Sequence, residues 1–442
     1  MSPYARVSAV LFVAGLAGTV TNVSVTVVTS SLARSWSASL GEVAVAVIAL
    51  NVAMAFVMPI AGLGAGRYGM RSILLAGGAL LFASTILLVF AETTMLLTVG
   101  RLGQGAGMAA ITPAALQASN TLLSRAEHSR ALGWWSAANG AGLALGPLLG
   151  GALFDLGGWR VVPLPTLLIA VLVAVATIGG VPRGLTHQGP VRLFGVIMLS
   201  LMAGLGVAVL SALSVGAAAM ALAGVAGLTL LVAYSFGGQR RSEFPLHWFD
   251  NPIVRRSGTG AFVQMFINGL AQIGVPAWLV TAGLTSSGGA GATLLAMTVT
   301  MAAMGLFTGR RFGVSYERWF KLGGWLLALG VGGLALSSSV APWWLSIPML
   351  VIAGVGAGCL LTPSFQAFSL TDPGKDGVGI AMYNIVRLTS FAVGGIVAAA
   401  AVDRRTPWIA FAVGAVLSAL LVARTSPALT ASSPVIEPAD AG

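Results

Sequence analysis

Residues 257–309 read SGTGAFVQMFINGLAQIGVPAWLVTAGLTSSGGAGATLLAMTVTMAAMGLFTG, 53 consecutive positions without Asp, Glu, Lys or Arg between Arg256 and Arg310. One crossing of a bilayer needs about 20 apolar residues. The stretch therefore reads as two crossings, and Thr285-Ser286-Ser287-Gly288-Gly289 supplies the turn between them. The same reading applies to the 47 uncharged residues between Arg192 and Arg240, split at Leu213-Ser214-Val215-Gly216. It applies again to the 50 between Lys321 and Asp372, split at Ser337-Ser338-Ser339 before Pro342. The spans are helical, because barrel strands would alternate polar and apolar residues.

Composition agrees along the whole chain. Of 442 residues, 57% are hydrophobic and 8% charged, against about 25% charged in a soluble domain. Too few charges remain to cover a water-facing surface. Fourteen spans are expected, at 7–31, 42–65, 72–91, 94–118, 131–154, 161–181, 193–213, 215–236, 257–283, 289–308, 320–337, 342–364, 377–400 and 406–424. The first is too long for the apolar core of a signal peptide. An even count puts both termini on one side. With that side inside, 17 of the 23 basic residues fall on inner loops and ends, four outside, and two, Arg101 and Arg387, within spans. Inner loops collect Lys and Arg, so both termini are expected in the cytoplasm and the chain in the plasma membrane. The same rule accounts for the net charge of +11. The basic residues are scattered through short loops with no binding module between them, so nucleic acid is not an expected partner.

Five segments follow: a six-helix half over 1–182, two additional spans over 183–236, a charged linker over 237–256, a second six-helix half over 257–424, and a disordered tail over 425–442 that is rich in Pro, Ser and Ala. The division into halves rests on an echo. Gly66-Arg67-Tyr68-Gly69-Met70-Arg71 forms the loop after the second span, and Gly309-Arg310-Arg311-Phe312-Gly313 the loop after the tenth. Both copies follow the second helix of a six-helix unit. Duplicated halves with a site between them are the usual plan of secondary transporters.

Polar residues inside the spans are the site candidates. A mid-span Arg costs about 2.5–3.5 kcal/mol on insertion scales, so Arg101 and Arg387 face a cavity or polar partners, or else snorkel to an interface. Gln264, Asn268 and Gln272 lie at i, i+4 and i+8 on one helix face. Asn22 and Thr26 form a similar pair, with Gln104, Asn139 and Asn384 as further lining. Bland interhelical hydrogen bonding, worth about 0.6 kcal/mol on average, is the competing reading for each amide. Gly142, Gly146 and Gly150 recur every four residues and lay a bare stripe along one face, Pro147 removes a backbone hydrogen bond within it, and Gly151 closes it. The stripe suits a helix that slides between two states, or simple tight packing.

None of the twelve acids is mid-span; Glu42 and Asp155, at outer span ends, are the closest. None of His128, His187 and His247 is expected inside an apolar span, and Cys359 is the single cysteine. No metal site, cofactor site or catalytic constellation is therefore expected. Gly64–Gly69 fits G-x-G-x-x-G but follows a membrane span rather than a strand. Gly374-Lys375-Asp376 is not a P-loop.

Four local matches resemble the major facilitator superfamily, and more narrowly its fourteen-helix drug:proton antiporter branch. Gly62-Leu63-Gly64-Ala65-Gly66-Arg67-Tyr68-Gly69-Met70-Arg71 is similar to the loop signature Gly-x-Leu-Ala-Asp-Arg-x-Gly-Arg-Lys, with Gly62, Arg67, Gly69 and Arg71 in matching roles. Arg101-Leu102-Gly103-Gln104-Gly105 resembles Arg-x-x-Gln-Gly. The Gly142–Gly151 stretch resembles the motif associated with exporters, and Ala381–Arg387 a segment of the fourteen-helix branch. The family's acids are replaced by Gly66 in the loop and Thr21 in the first helix.

The resemblance implies an all-α membrane protein of major facilitator fold, with two six-helix halves plus two extra helices. It implies a monomeric secondary transporter that exports small amphiphilic molecules through the bilayer by alternating access, and not an enzyme. Proton coupling is left open, with Glu42 and Asp155 as the candidate proton sites. The alternatives are uptake or facilitated diffusion of a neutral or anionic metabolite and, more remotely, a non-transporting receptor.

Overall fold

The computed structural model describes residues 2–28, 32–33, 35–38, 40–184, 186, 193–214, 222, 224–230, 252–285, 287–310, 316–340, 342–371 and 378–424. Among the described residues there are thirteen long helices and no strand. They are α1 (Pro3–Val27), α2 (Leu40–Tyr68), α3 (Met70–Val89), α4 (Thr94–Leu122), α5 (Arg125–Gly157), α6 (Leu164–Gly180), α7 (Leu193–Ser214), α8 (Pro252–Thr281), α9 (Ser287–Arg310), α10 (Tyr316–Ser337), α11 (Ser346–Thr371), α12 (Val378–Asp403) and α13 (Pro407–Arg424). Among the described residues, eleven helices are long and apolar enough to cross a membrane. The expected span 215–236 falls largely outside the described residues, as do most of the 237–256 linker and the 425–442 tail. The fourteen-span count accordingly stays an expectation.

Helix α4 is not among the eleven. It is rich in Gly, Ala, Thr and Gln and carries Arg101, but nearly all of it from Gly100 to Ser119 is buried. A helix shielded from lipid by its neighbours needs no oily surface.

Two features differ from the sequence expectation. The loop expected over Gly66–Arg71 is a single residue, since α2 runs through Tyr68 and α3 starts at Met70. Gly69 turns the chain alone with φ 92°, a backbone region that side chains rarely enter. His128, expected outside any apolar span, lies in the first turns of α5, only 3% exposed, with Nδ1 2.9 Å from Ser119 Oγ. The helix starts six residues before the expected boundary because Ser124 and Glu127 form a capping box.

Two large cores divide the molecule. The first is built mainly from α1–α6 and receives Val254, Ala261, Leu361, Phe365 and Tyr383 from later helices. The second is built from α8–α13. Helix α7 packs on α2 and α12, with Ala203 and Val207 against Ala55. The fourth helix of each group carries a Thr-Pro pair at similar depth, Thr112-Pro113 in α4 and Thr362-Pro363 in α11. Each proline leaves one backbone carbonyl without its helical donor.

Candidate functional site

Helix α5 joins the two groups through two separate faces. Gly142, Gly146 and Gly150 lie against α1: a Cβ added at Gly142 would sit 1.8 Å from Thr19 Oγ1, and one at Gly150 would sit 2.2 Å from the Ser24 carbonyl oxygen. Ser129, Gly133, Ser136 and Gly140 are spaced i, i+4, i+7, i+11, about a third of a turn away around the helix. They face Gly309, Gly305, Ala302 and Thr298 of α9, which repeat the same spacing on an antiparallel partner. A Cβ on Gly309 would meet Gly133 Cα at 2.8 Å, and one on Gly140 would meet Ala302 Cβ at 2.6 Å. Small residues let the backbones approach this closely in lipid. Three hydrogen bonds reinforce the seam: Ser129 Oγ donates to Gly309 O at 2.8 Å, Ser136 Oγ lies 2.9 Å from Thr362 Oγ1, and Thr362 Oγ1 donates to Gly305 O at 3.3 Å. The seam closes the end of the bundle where α1 begins. Sequence reasoning named the first stripe and missed the second, although its spacing was there to be read.

The buried cations occupy two environments. Arg101 is 0% exposed within the first group. Its Nη1 donates to Thr21 O at 2.8 Å and to Gln104 Oε1 at 3.1 Å, its Nε to Val47 O at 3.2 Å, and its Nη2 to Asn22 Oδ1 at 3.5 Å. Gln104 Nε2 continues to Thr85 Oγ1 at 2.9 Å, and Asn22 Nδ2 to Asn51 Oδ1 at 3.1 Å. One guanidinium thus ties α1, α2 and α4 together, and Gln104 adds α3. Carbonyl and amide oxygens accept its charge-assisted bonds.

Arg387 belongs to α12 yet lies against the first group. Its guanidinium carbon is 4.8 Å from the ring centroid of Trp135 on α5. Its Nη1 donates to Asn384 Oδ1 at 3.3 Å, while its buried Nε has no hydrogen-bond partner among the described residues. Trp135 packs 5.6 Å from Phe365, which meets Tyr383 edge-on at 5.2 Å. A cation and three aromatic rings therefore share the boundary between the two helix groups. Trp135 and Phe365 were not singled out from sequence, because nothing local separates them from lipid-facing aromatics.

The amide row of α8 is also buried at Gln264 and Asn268. Both side-chain nitrogens point to Met301 Sδ, at 3.8 and 3.5 Å, and Gln272 Nε2 donates to Asn268 Oδ1 at 3.2 Å. Gln264 Oε1 has no partner among the described residues. Asn139 Nδ2 donates to Trp135 O at 2.8 Å. The side chains of Thr26 and Pro147 lie outside the described residues. Glu42 and Asp155 are exposed in the first turn of α2 and the last turns of α5. Gly62 is buried and Arg67 exposed, its guanidinium 6.0 Å from the Tyr68 ring. Arg71 Nη1 donates to Val181 O at 3.1 Å. Gly151 has open space around it.

An unpaired buried polar atom costs about 1–3 kcal/mol. Arg387 Nε and Gln264 Oε1 offer a donor and an acceptor that a solute or water would satisfy.

The profile described as Major Facilitator Superfamily matches residues 9–395. A relative from Klebsiella pneumoniae (strain 342), named for multidrug resistance as MdtD, is 24% identical over 380 residues, covering 83% of this chain and 80% of its own. A Streptomyces coelicolor relative named for actinorhodin transport is 27% identical over 405 residues, covering 86% and 68%. Among solved structures, the human organic anion transporter MFSD10 superposes with a TM-score of 0.72 at 15% identity, covering 96% of this chain and all of its own. The proton:xylose symporter XylE does so at 0.69 and 14%, covering 95% and 94%. At these identities the two structures speak to fold alone.

Proposed function

The chain belongs to the major facilitator superfamily, and on that premise we propose that it is a secondary active transporter exporting small amphiphilic molecules across the plasma membrane by alternating access. The two six-helix halves rock about a site at their boundary. The observation that carries this reading is Arg387, a cation from one half stacked on Trp135 of the other with an unsatisfied Nε. A solute held there would touch both halves, so its binding energy would differ between the two states, as any ligand-driven shift requires. The aromatic wall of Trp135, Phe365 and Tyr383 suits a flat apolar body, and the guanidinium and amides suit a polar end. The relatives named for multidrug resistance and for actinorhodin transport support export. With the arginine-rich face in the cytoplasm, the α5–α9 seam closes the cytoplasmic side in this conformation.

The test is purified protein in liposomes, with efflux of a planar aromatic anion, a neutral amphiphile and ethidium followed with and without a pH gradient. We expect flux of the anion or the neutral compound, falling strongly in Arg387→Gln. Efficient ethidium export, with Arg387→Ala leaving every flux unchanged, would overturn the site. Flux that follows an imposed pH gradient in the Glu42→Gln, Asp155→Asn double variant would exclude those carboxylates from proton coupling.

The buried cation, with no acidic partner among the described residues, also favours a second reading, uptake or facilitated diffusion of an anionic metabolite. Net movement down the solute's own gradient, indifferent to pH, would identify it.

A further inference from the structure

A second cluster of arginines lies away from the boundary between the halves, at the end of the bundle where α1 begins. Arg6 Nη1 donates to Gly179 O at 3.4 Å, and Arg71 Nη1 to Val181 O at 3.1 Å, so both guanidiniums gather at the carboxyl end of α6. Such caps satisfy the last carbonyls of a helix. They use few of the five N–H groups each guanidinium carries. Arg71 and Arg183 line one groove of about 400 Å³, with Ser72 beside them and Gly69 in the wall. No carboxylate lines this groove among the described residues.

The groove continues onto apolar surface. Leu75 and Ile178 lie along its inner edge, about one turn deeper than the arginines, and Ile178 is 57% exposed. From there Val175, Val171 and Leu168 carry an exposed apolar stripe along α6. Their spacing keeps them on one helix face. A site with cations at the interface and bare aliphatic surface immediately below matches a molecule with an anionic head and an acyl tail. Basic pockets between helices near the membrane surface bind anionic headgroups.

We propose that this groove, between α3 and the end of α6, holds the phosphate headgroup of an anionic phospholipid. Arg71 and Arg183 clasp the phosphate oxygens, and an acyl chain lies along Leu75, Ile178 and the α6 stripe. Because Arg71 follows Gly69 by two residues, lipid bound here sits beside the turn between α2 and α3.

Native mass spectrometry of the full chain, released from micelles carrying equal phosphatidylglycerol and phosphatidylcholine, tests the proposal. Wild type should retain the anionic lipid in preference. Arg183 is exposed, so its replacement leaves folding intact. Arg183→Gln should retain about five-fold less, the effect of roughly one interfacial charge, and Arg183→Lys most of it. Arg424→Gln, a charge removed from an exposed site at the end of α13, should change nothing. Millimolar glycerol phosphate should not displace the lipid. Equal retention of the two lipids by wild type would overturn the proposal, as would equal losses in Arg183→Gln and Arg424→Gln. Complete displacement by glycerol phosphate would overturn it in favour of a soluble phosphate ligand.

Discussion

Gly140→Ala adds one methyl group to the seam between α5 and α9. The new carbon would lie 2.6 Å from Ala302 Cβ and 2.9 Å from Thr298 O. Neither neighbour can swing aside: one is a methyl on a short side chain, the other backbone. Ordinary carbon contacts need about 3.5–4.0 Å, so the helices must part by roughly 1 Å. Overpacking of this kind costs about 1–3 kcal/mol. Only the conformation with the seam closed bears that cost. The ratio of closed to open molecules should therefore fall by about 5- to 150-fold. Nitroxide labels at Arg130→Cys and Arg318→Cys, both exposed, would report the change in a Cys359→Ala background. Double electron–electron resonance should show a longer-distance population growing in Gly140→Ala. Gly151→Ala, with nothing within 4 Å of the added carbon, should keep the wild-type distribution. If Gly140→Ala also keeps it, the seam is not a joint that opens, and the rocking of one half on the other loses its structural basis.

Three further outcomes follow from the same geometry. Arg387→Lys keeps the charge but loses the planar face over Trp135; at about 2 kcal/mol for a desolvated cation–π contact, substrate affinity should weaken by about 30-fold, measured by binding titration, and wild-type affinity would refute the stacking role. Arg101→Met removes the bonds to Thr21, Val47 and Asn22; at about 0.6 kcal/mol per interhelical bond in lipid, a loss of roughly 2 kcal/mol should appear as a lower unfolding temperature by tryptophan fluorescence in detergent. Gly69→Ala places a side chain at φ 92°, costing about 1–3 kcal/mol, and should lower the same melting temperature where Gly151→Ala leaves it unmoved.

Much of this was written in one dimension. The spans were legible because uncharged runs of some 50 residues have few other uses, and Arg387 because a mid-span cation needs a partner. The partner itself was not legible. Trp135 lies 252 positions away, and nothing in its local sequence marks it as facing the second half. The acceptors of Arg101 were equally hidden: Thr21 and Val47 contribute carbonyls that any residue would supply. Helix α5 shows the same limit, since Gly142, Gly146 and Gly150 stood out as a stripe but only the fold assigns that stripe to α1 and the Ser129–Gly140 stripe to α9. The turn at Gly69 was concealed by its brevity, as six residues that read like a loop proved to be two helices meeting at one glycine.

The central claim is that the boundary between the halves opens to each side of the membrane in turn. Gln264→Cys in a Cys359→Ala background, treated with a membrane-impermeant thiol reagent in sealed vesicles of either orientation, tests it most directly. The account predicts reaction from both sides, with Gly140→Ala speeding reaction from the side that carries the α5–α9 seam and slowing it from the other. Reaction from one side only, with rates that Gly140→Ala leaves alone, would contradict it.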